Sequence, residues 1–188
     1  MKYIILTFAF YEHQADDAKM NNQALLAAAV SAIEDCEIAR KDELRGCSDR
    51  EIAQLELDLG IQLPCVYREF LLRMGRSAGG LFVGSDAFFP KLRRLQTWAS
   101  EMLSEVKSPF ILPTDAFVIL MHQGYVCFFI RTMDGDDPPV YRILERDTQA
   151  TLVSATFSAF LLDMIRECCE MKKAGHEYRR EHGLADDC

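Results

Sequence analysis

The chain has 188 residues, 49% of them hydrophobic, and a formal net charge of −8. Its twelve Phe residues and apolar content exclude global disorder. The acidic balance argues against direct binding to a nucleic-acid backbone, which needs clustered Lys and Arg. No stretch reaches the roughly 18 apolar residues of a transmembrane helix. We therefore expect one domain with an N-terminal extension and no membrane segment.

The start of the chain permits two interpretations. Residues 1–13 combine one Lys with an apolar run near the lower length limit of a signal peptide, but no convincing small-residue cleavage site precedes the polar residues. We therefore favour a β-strand or buried segment there. Residues 14–45 predict one long amphipathic helix, with Leu26, Val30 and Ile33 on its apolar face. That helix would form an extra layer or part of a dimer.

Residues 48–80 predict a pair of short helices. Ser48 followed by Glu51 is the pattern of a capping box, in which each side chain satisfies a free backbone N–H. Gly60 suits the left-handed residue that ends the first helix, and Pro64 suits the start of the second. Glycines after residue 74 end that second helix.

The second half of the chain alternates strands and helices. Leu81 to Val83 predicts a short strand, and a helix opened by Pro90 follows. The other predicted elements are strands at Ala116–Met121, Tyr125–Ile130 and Val140–Leu144, and a helix at Phe157–Cys168. The order predicts an α+β fold: a mainly antiparallel β-sheet with helices packed on one side, plus an N-terminal helical extension.

The helix pair also carries a family resemblance. Glu56, Leu59-Gly60, Leu63-Pro64, Tyr67 and Phe70-Leu71, followed by a glycine turn, resemble the opening motif of the SMI1/KNR4 superfamily, also called SUKH. Later marks of that family occur in the same order, and they are listed here: the hydrophobic segment after Pro113, the hairpin near Gly124, Pro139-Val140-Tyr141, and Phe157-x-x-Phe160-Leu161. The predicted organisation is an extension over 1–47, a SUKH-like domain over 48–170 and a charged tail over 171–188.

The seven cysteines predict a reduced, cytoplasmic protein. Their number is odd, no C-x-x-C occurs, and several lie in apolar patterns, where free Cys behaves as a small hydrophobe. Adjacent Cys168 and Cys169 predict one buried and one peripheral thiol.

The candidates for catalysis are weak. Ser77 lies in a G-x-S-x-G sequence, but a nucleophile elbow needs a strand before the serine and a helix after it, the reverse of the predicted order. His122 fits a turn residue, and Cys127 lies in a predicted strand without an assignable base. Asp134 to Asp137 lack the spacing of a calcium loop. We expect no enzymatic activity, no cofactor and no metal.

The resemblance implies, for a bacterial member, a non-enzymatic immunity protein that neutralises a cognate toxin, often a nuclease. An acidic face would cover the basic cleft with which a nuclease holds phosphates. The family's binding surface is not tied to a short motif, so charge alone selects the candidates: Asp134, Asp136, Asp137, Glu145 and Asp147. A regulatory or scaffold module, as in fungal members, is the alternative, and an enzyme with a scattered site is a third. The oligomeric state stays open.

Overall fold

The computed structural model describes residues 22–183. The strand predicted over 1–13 and the first part of the predicted N-terminal helix lie outside the described residues. In chain order the elements are α1 (22–35), β1 (Leu44–Arg45), α2 (Asp49–Leu59), α3 (Cys65–Met74), β2 (Ser77–Ala78), β3 (Ser85–Asp86), α4 (Leu92–Glu105), β4 (Ala116–His122), β5 (Val126–Arg131), β6 (Val140–Leu144), β7 (Thr151–Ser154) and α5 (Phe157–Glu181). Within this range no helix has the length and apolar character needed to cross a bilayer.

The centre of the fold is a five-stranded antiparallel sheet whose strands follow chain order from β3 to β7. Alternation along β5 sends successive rings to opposite faces. The Phe128 ring lies 5.5 Å from that of Phe160 in α5, whereas the Phe129 ring lies 6.2 Å from that of Phe110. Strand β4 is buried along both faces from Ala116 to Met121. The predicted α+β fold, with its antiparallel sheet and N-terminal helix, is confirmed. Helices lie on both faces of the sheet rather than on one: α5 beside Leu120 and α4 beside Met121.

Four aromatic rings join the helix pair to the sheet and to α5. The Tyr67 ring in α3 packs edge-on against Phe117 of β4 at 5.3 Å and against Phe157 of α5 at 5.0 Å. Phe70 contacts both Tyr67 and Phe157, at 5.5 and 5.6 Å. All four residues are buried. Edge-to-face ring pairs add about 0.5–1.5 kcal/mol each to the gain from burial, so this cluster holds three elements in one arrangement.

The helix boundaries in the helix pair follow local sequence signals. The Ser48–Glu51 capping box forms as predicted, with both reciprocal hydrogen bonds present. Gly60 ends α2 in the left-handed conformation, at φ 66°. Gly79, at φ 57°, lies so close to Ala39 that an added Cβ would be 2.4 Å from the Ala39 Cβ. Because Gly79 has no side chain, the turn after α3 can pack directly on the segment that follows α1.

Three predicted segments differ from the structure. The N-terminal helix ends at residue 35 rather than 45, because Glu37 has φ 55° and the chain then turns into β1. Leu81–Val83 is a turn and not a strand, because Phe82 has φ 61°; strand β3 begins at Ser85 instead. The last helix continues far past Cys168, to Glu181, through the segment predicted to be a charged tail.

The prediction of fully reduced cysteines is also wrong. Cys36, just after α1, forms a disulfide with Cys169 in α5, with the two Cα atoms 5.4 Å apart. Cys169 is therefore not a thiol, while the neighbouring Cys168 is a partly exposed free cysteine. The sequence separation of 133 between the partners explains why no sequence spacing indicated the bond. The bond fixes α1, whose Leu26, Ala29 and Ile33 are fully buried, to the last helix.

Candidate functional site

The acidic residue of the family-like motif has an internal role. One Glu56 oxygen accepts the backbone N–H of Leu63 at 2.8 Å, and the other accepts Arg68 Nη1 at 2.6 Å. Its side chain is only 17% exposed. Glu56 thus fastens α2 to the turn that follows it and to α3. The motif residue stabilises the helix pair and is not left open to a partner.

Glu51 is similarly engaged. The Arg76 guanidinium, with the Ser48 backbone and hydroxyl groups, lowers the pKa of the Glu51 carboxyl from its ordinary 4.5 to about 2. The contact with Arg76 ties the start of α2 to the residue before β2. Two acidic residues of the helix pair therefore form ion pairs that hold neighbouring segments of the fold together.

The predicted acidic candidates fall into two groups at opposite ends of β6. Asp134, Asp136 and Asp137 precede that strand, and Glu145 and Asp147 follow it. Five residues at about 3.3 Å each separate the groups by roughly 16 Å. The structure does not bring all five carboxylates into one cluster.

The hairpin between β5 and β6 carries the first group. Asp137 accepts the Ser158 backbone N–H at 2.9 Å and the Ser158 hydroxyl at 2.5 Å, which fastens the hairpin to the start of α5. The Asp136 carbonyl accepts the N–H of Val66 at the start of α3, and its exposed carboxylate accepts a hydrogen bond from the Cys65 thiol. Asp134 is also exposed, and its carboxylate makes no ion pair or side-chain hydrogen bond with any residue of the described chain. The hairpin therefore presents two exposed carboxylates, of which Asp136 also contacts the Cys65 thiol, beside the internally bound Asp137.

The second group is more constrained. An Asp147 carboxylate oxygen accepts the Leu144 backbone N–H at 3.1 Å, and its carbonyl accepts the Ser108 hydroxyl at 3.1 Å. Glu145 pairs with Arg146, at 3.4 Å between Oε1 and Nε. Asp147 closes its own turn, and a neighbouring cation offsets the charge of Glu145.

The residues weighed for catalysis lie in separate places. Ser77 is in β2, two residues beyond the α3 C-cap, and its hydroxyl accepts the Gly79 N–H at 3.4 Å. Burial raises the pKa of the Cys127 thiol to about 12, so this group is protonated at neutral pH. His122 ends β4, where its Nδ1 lies 2.9 Å from the Ser85 hydroxyl. Within residues 22–183 no group of three metal-ligating side chains occurs.

A second surface feature, the β–α5 cleft, was not predicted. It has a volume of about 350 Å³ and lies between one face of the sheet, the 80–83 turn and the middle of α5. Apolar side chains form most of its wall, and four polar residues also line it: Ser85, His122, Arg142 and Glu167. No short motif marks this cleft, because its residues come from three distant parts of the chain.

A model of the SMI1/KNR4 family (SUKH-1) matches residues 46–163. The chain belongs to the SMI1/KNR4 family. No curated protein matches the chain in sequence. The match spans the helix pair, the sheet and the first turns of α5, which confirms the resemblance read from the motif.

The SMI1/KNR4 match leaves two helical parts of the described chain outside it. Helix α1 and the part of α5 beyond residue 163 lie outside the matched region. Cys36 and Cys169 both belong to these flanking parts, so the disulfide joins the two parts outside the match to each other. This SMI1/KNR4 chain thus carries a covalently closed helical layer that the matched region does not include.

Proposed function

We propose that this SMI1/KNR4 protein is a non-enzymatic immunity protein that binds a cognate bacterial toxin in the cytoplasm and occludes its active site. The family is one of protein-interaction and immunity domains, which supports a binding role. The observation that carries the proposal is the β5–β6 hairpin, whose Asp134 and Asp136 carboxylates are exposed above the fixed Asp137. A basic nuclease cleft is the partner chemistry that such a surface complements.

The mechanism follows from charge and anchoring. A nuclease cleft gathers Lys and Arg to hold phosphates, and carboxylates placed there compete with the substrate for those cations. Asp137 holds the hairpin on the start of α5, so the two exposed carboxylates are presented with little loss of conformational freedom on binding. Glu145 and Asp147 are proposed as outer contacts of the same toxin. Their internal partners make their expected contribution smaller.

Protection of cells tests the function. The toxic product of a gene adjacent to the one for this chain would be expressed with and without it, and growth and binding of the purified pair would be measured. We expect rescue of growth and a 1:1 complex whose affinity falls as salt rises, because exposed charges are screened. Absence of both rescue and binding would overturn the proposal.

The contact surface needs its own variants. The double change Asp134→Asn and Asp136→Asn should weaken toxin binding at least tenfold and reduce its salt dependence. Glu101→Gln is the matched control, since Glu101 is an exposed carboxylate on α4, away from the hairpin. Equal affinities for the double variant and the control would place the toxin elsewhere on the surface.

A further inference from the structure

The β–α5 cleft has the dimensions and lining of a small-molecule site. Pockets that hold small ligands have volumes of roughly 300–1,000 Å³, mostly apolar walls and a few polar groups. The cleft has about 350 Å³, with Leu120 and Phe128 on the sheet side and Met164 on the helix side. Met171 and Val83 also line it and are 68% and 75% exposed. Covering these side chains removes apolar surface from water, which favours an occupant with an apolar body.

The proposed toxin contact does not account for this cleft. None of the five acidic candidates lines it. Its helical wall, from Met164 to Met171, lies beyond residue 163, where the family match ends. The cleft therefore combines a sheet face inside the matched region and a helix segment outside it.

Arg142 supplies the polar end of the site. It lies on β6 between Phe128 of β5 and Thr151 of β7, and it is half-buried. Its Nε is buried without a hydrogen-bond partner, and its guanidinium forms no ion pair with any residue from 22 to 183. A buried polar atom without a partner costs about 1–3 kcal/mol. A planar guanidinium is completed best by a carboxylate, which accepts two parallel N–H groups.

The other polar side chains limit the charge of the occupant. Glu167 lines the cleft from α5 and is exposed, yet it does not pair with Arg142. His122 Nδ1 already faces the Ser85 hydroxyl at 2.9 Å. The unpaired Arg142 guanidinium, with the Glu167 carboxylate also lining the cleft, suits an occupant that carries a single negative charge. A phosphate dianion would find only one guanidinium and would be repelled more strongly by Glu167.

We propose that the β–α5 cleft binds a small aliphatic monocarboxylate. The carboxylate pairs with Arg142, and the hydrocarbon chain lies over Phe128, Leu120 and Met164. The unbranched methionine adapts to chains of different length, because its three rotatable bonds let it fill irregular gaps.

Decanoate and decan-1-ol are matched probes, because they differ in the charged end and share the chain. Each would be titrated into the full-length protein by calorimetry below its aggregation concentration. We expect saturable 1:1 binding of decanoate, with decan-1-ol binding at least tenfold more weakly. Arg142→Gln should reduce decanoate affinity at least tenfold and make the two probes equal. Glu167→Gln should strengthen decanoate binding two- to fivefold by removing a like charge.

Arg146→Gln is the control, because Arg146 follows the same strand but has a side chain that is 86% exposed. It should change decanoate affinity less than twofold. Thermal melting of each variant would show that the fold is retained. The proposal is overturned if decanoate shows no saturable binding, if decan-1-ol binds as tightly, or if Arg142→Gln and Arg146→Gln behave alike.

Discussion

The helix pair and the β5–β6 hairpin use their carboxylates in opposite ways. In the helix pair, Glu51 and Glu56 each meet an arginine and join segments of the fold. In the hairpin, Asp134 and Asp136 are exposed and neither forms an ion pair with a described residue; Asp136 contacts the Cys65 thiol, and Asp137 is fixed by two hydrogen bonds to Ser158. The residues that identify the family are thus those that stabilise it. A surface that must recognise one partner leaves its carboxylates exposed to solvent.

The largest loss of stability is expected from removing an aromatic ring that joins the helix pair to α5. Phe157→Ala should lower the free energy of unfolding by about 3–5 kcal/mol, because it removes buried apolar contacts and leaves a cavity beside Tyr67 and Phe70. Urea denaturation would measure the change. Leu162→Ala on the same helix is the control: Leu162 is 39% exposed, and a loss of about 1 kcal/mol or less is expected. Similar losses in both variants would contradict the proposed central position of the ring cluster.

The disulfide joins the two helical segments that lie outside the family match, and its removal is the next largest expected effect. Cys36→Ser should destabilise the protein by roughly 2–4 kcal/mol, because the bond closes a long loop and restricts the unfolded chain. Urea denaturation with and without reductant would test this, and reduction should bring the wild type to the level of the variant. Cys168→Ser is the matched control, since Cys168 is adjacent to Cys169 but free.

The same bond bears on the proposed cytoplasmic location. The cytosol keeps most thiols reduced, so a disulfide that persists there is unusual. Alkylation of acid-quenched cells followed by mass measurement would count the free thiols. If reductant leaves wild-type stability unchanged and all cysteines are alkylated, Cys36 and Cys169 are two neighbouring free thiols in the cell and do not form a disulfide.

Glu56 tests the motif itself. Glu56→Gln should lower the free energy of unfolding by about 1.5–3 kcal/mol. The charge-assisted hydrogen bond to Arg68 is lost, while the Gln amide oxygen can still accept the Leu63 N–H. Glu69→Gln on α3 is the control, because the Glu69 side chain makes no hydrogen bond or ion pair with any other described residue, and it should change stability by no more than about 0.5 kcal/mol. Toxin binding should be unaffected by either change under conditions where both variants are folded. A binding defect without a loss of stability would show that Glu56 contributes to toxin recognition and not to the stability of the helix pair.

The features that could be predicted from the sequence are those that depend on residues close together in the chain. The capping box at Ser48 and the helix end at Gly60 depend on contacts within a few residues, and both occur as predicted. Distant contacts were not predictable. Nothing in the loop sequence indicates that Asp137 reaches Ser158, 21 residues away, or that Arg142 lies beside α5. The turn at Phe82 was missed because an apolar triplet is typical of a strand, and a left-handed φ at Phe is rare.

The smallest expected effects on stability distinguish Asp137 from Asp134 within the β5–β6 hairpin. Asp137→Ala should cost about 1–2 kcal/mol, because the N–H and hydroxyl of Ser158 lose their acceptor at the start of α5. Asp134→Ala should change stability by less than about 0.5 kcal/mol, since its exposed carboxylate forms no hydrogen bond or ion pair within residues 22–183 and only attracts Arg131 at longer range. Thermal or urea unfolding of the two variants side by side measures the difference. For toxin binding the order should reverse under conditions where both are folded, with Asp134→Ala reducing affinity directly and Asp137→Ala acting only through a less fixed hairpin. If Asp134→Ala destabilises the fold as much as Asp137→Ala, the open carboxylates also stabilise the fold, and the distinction between the two regions fails.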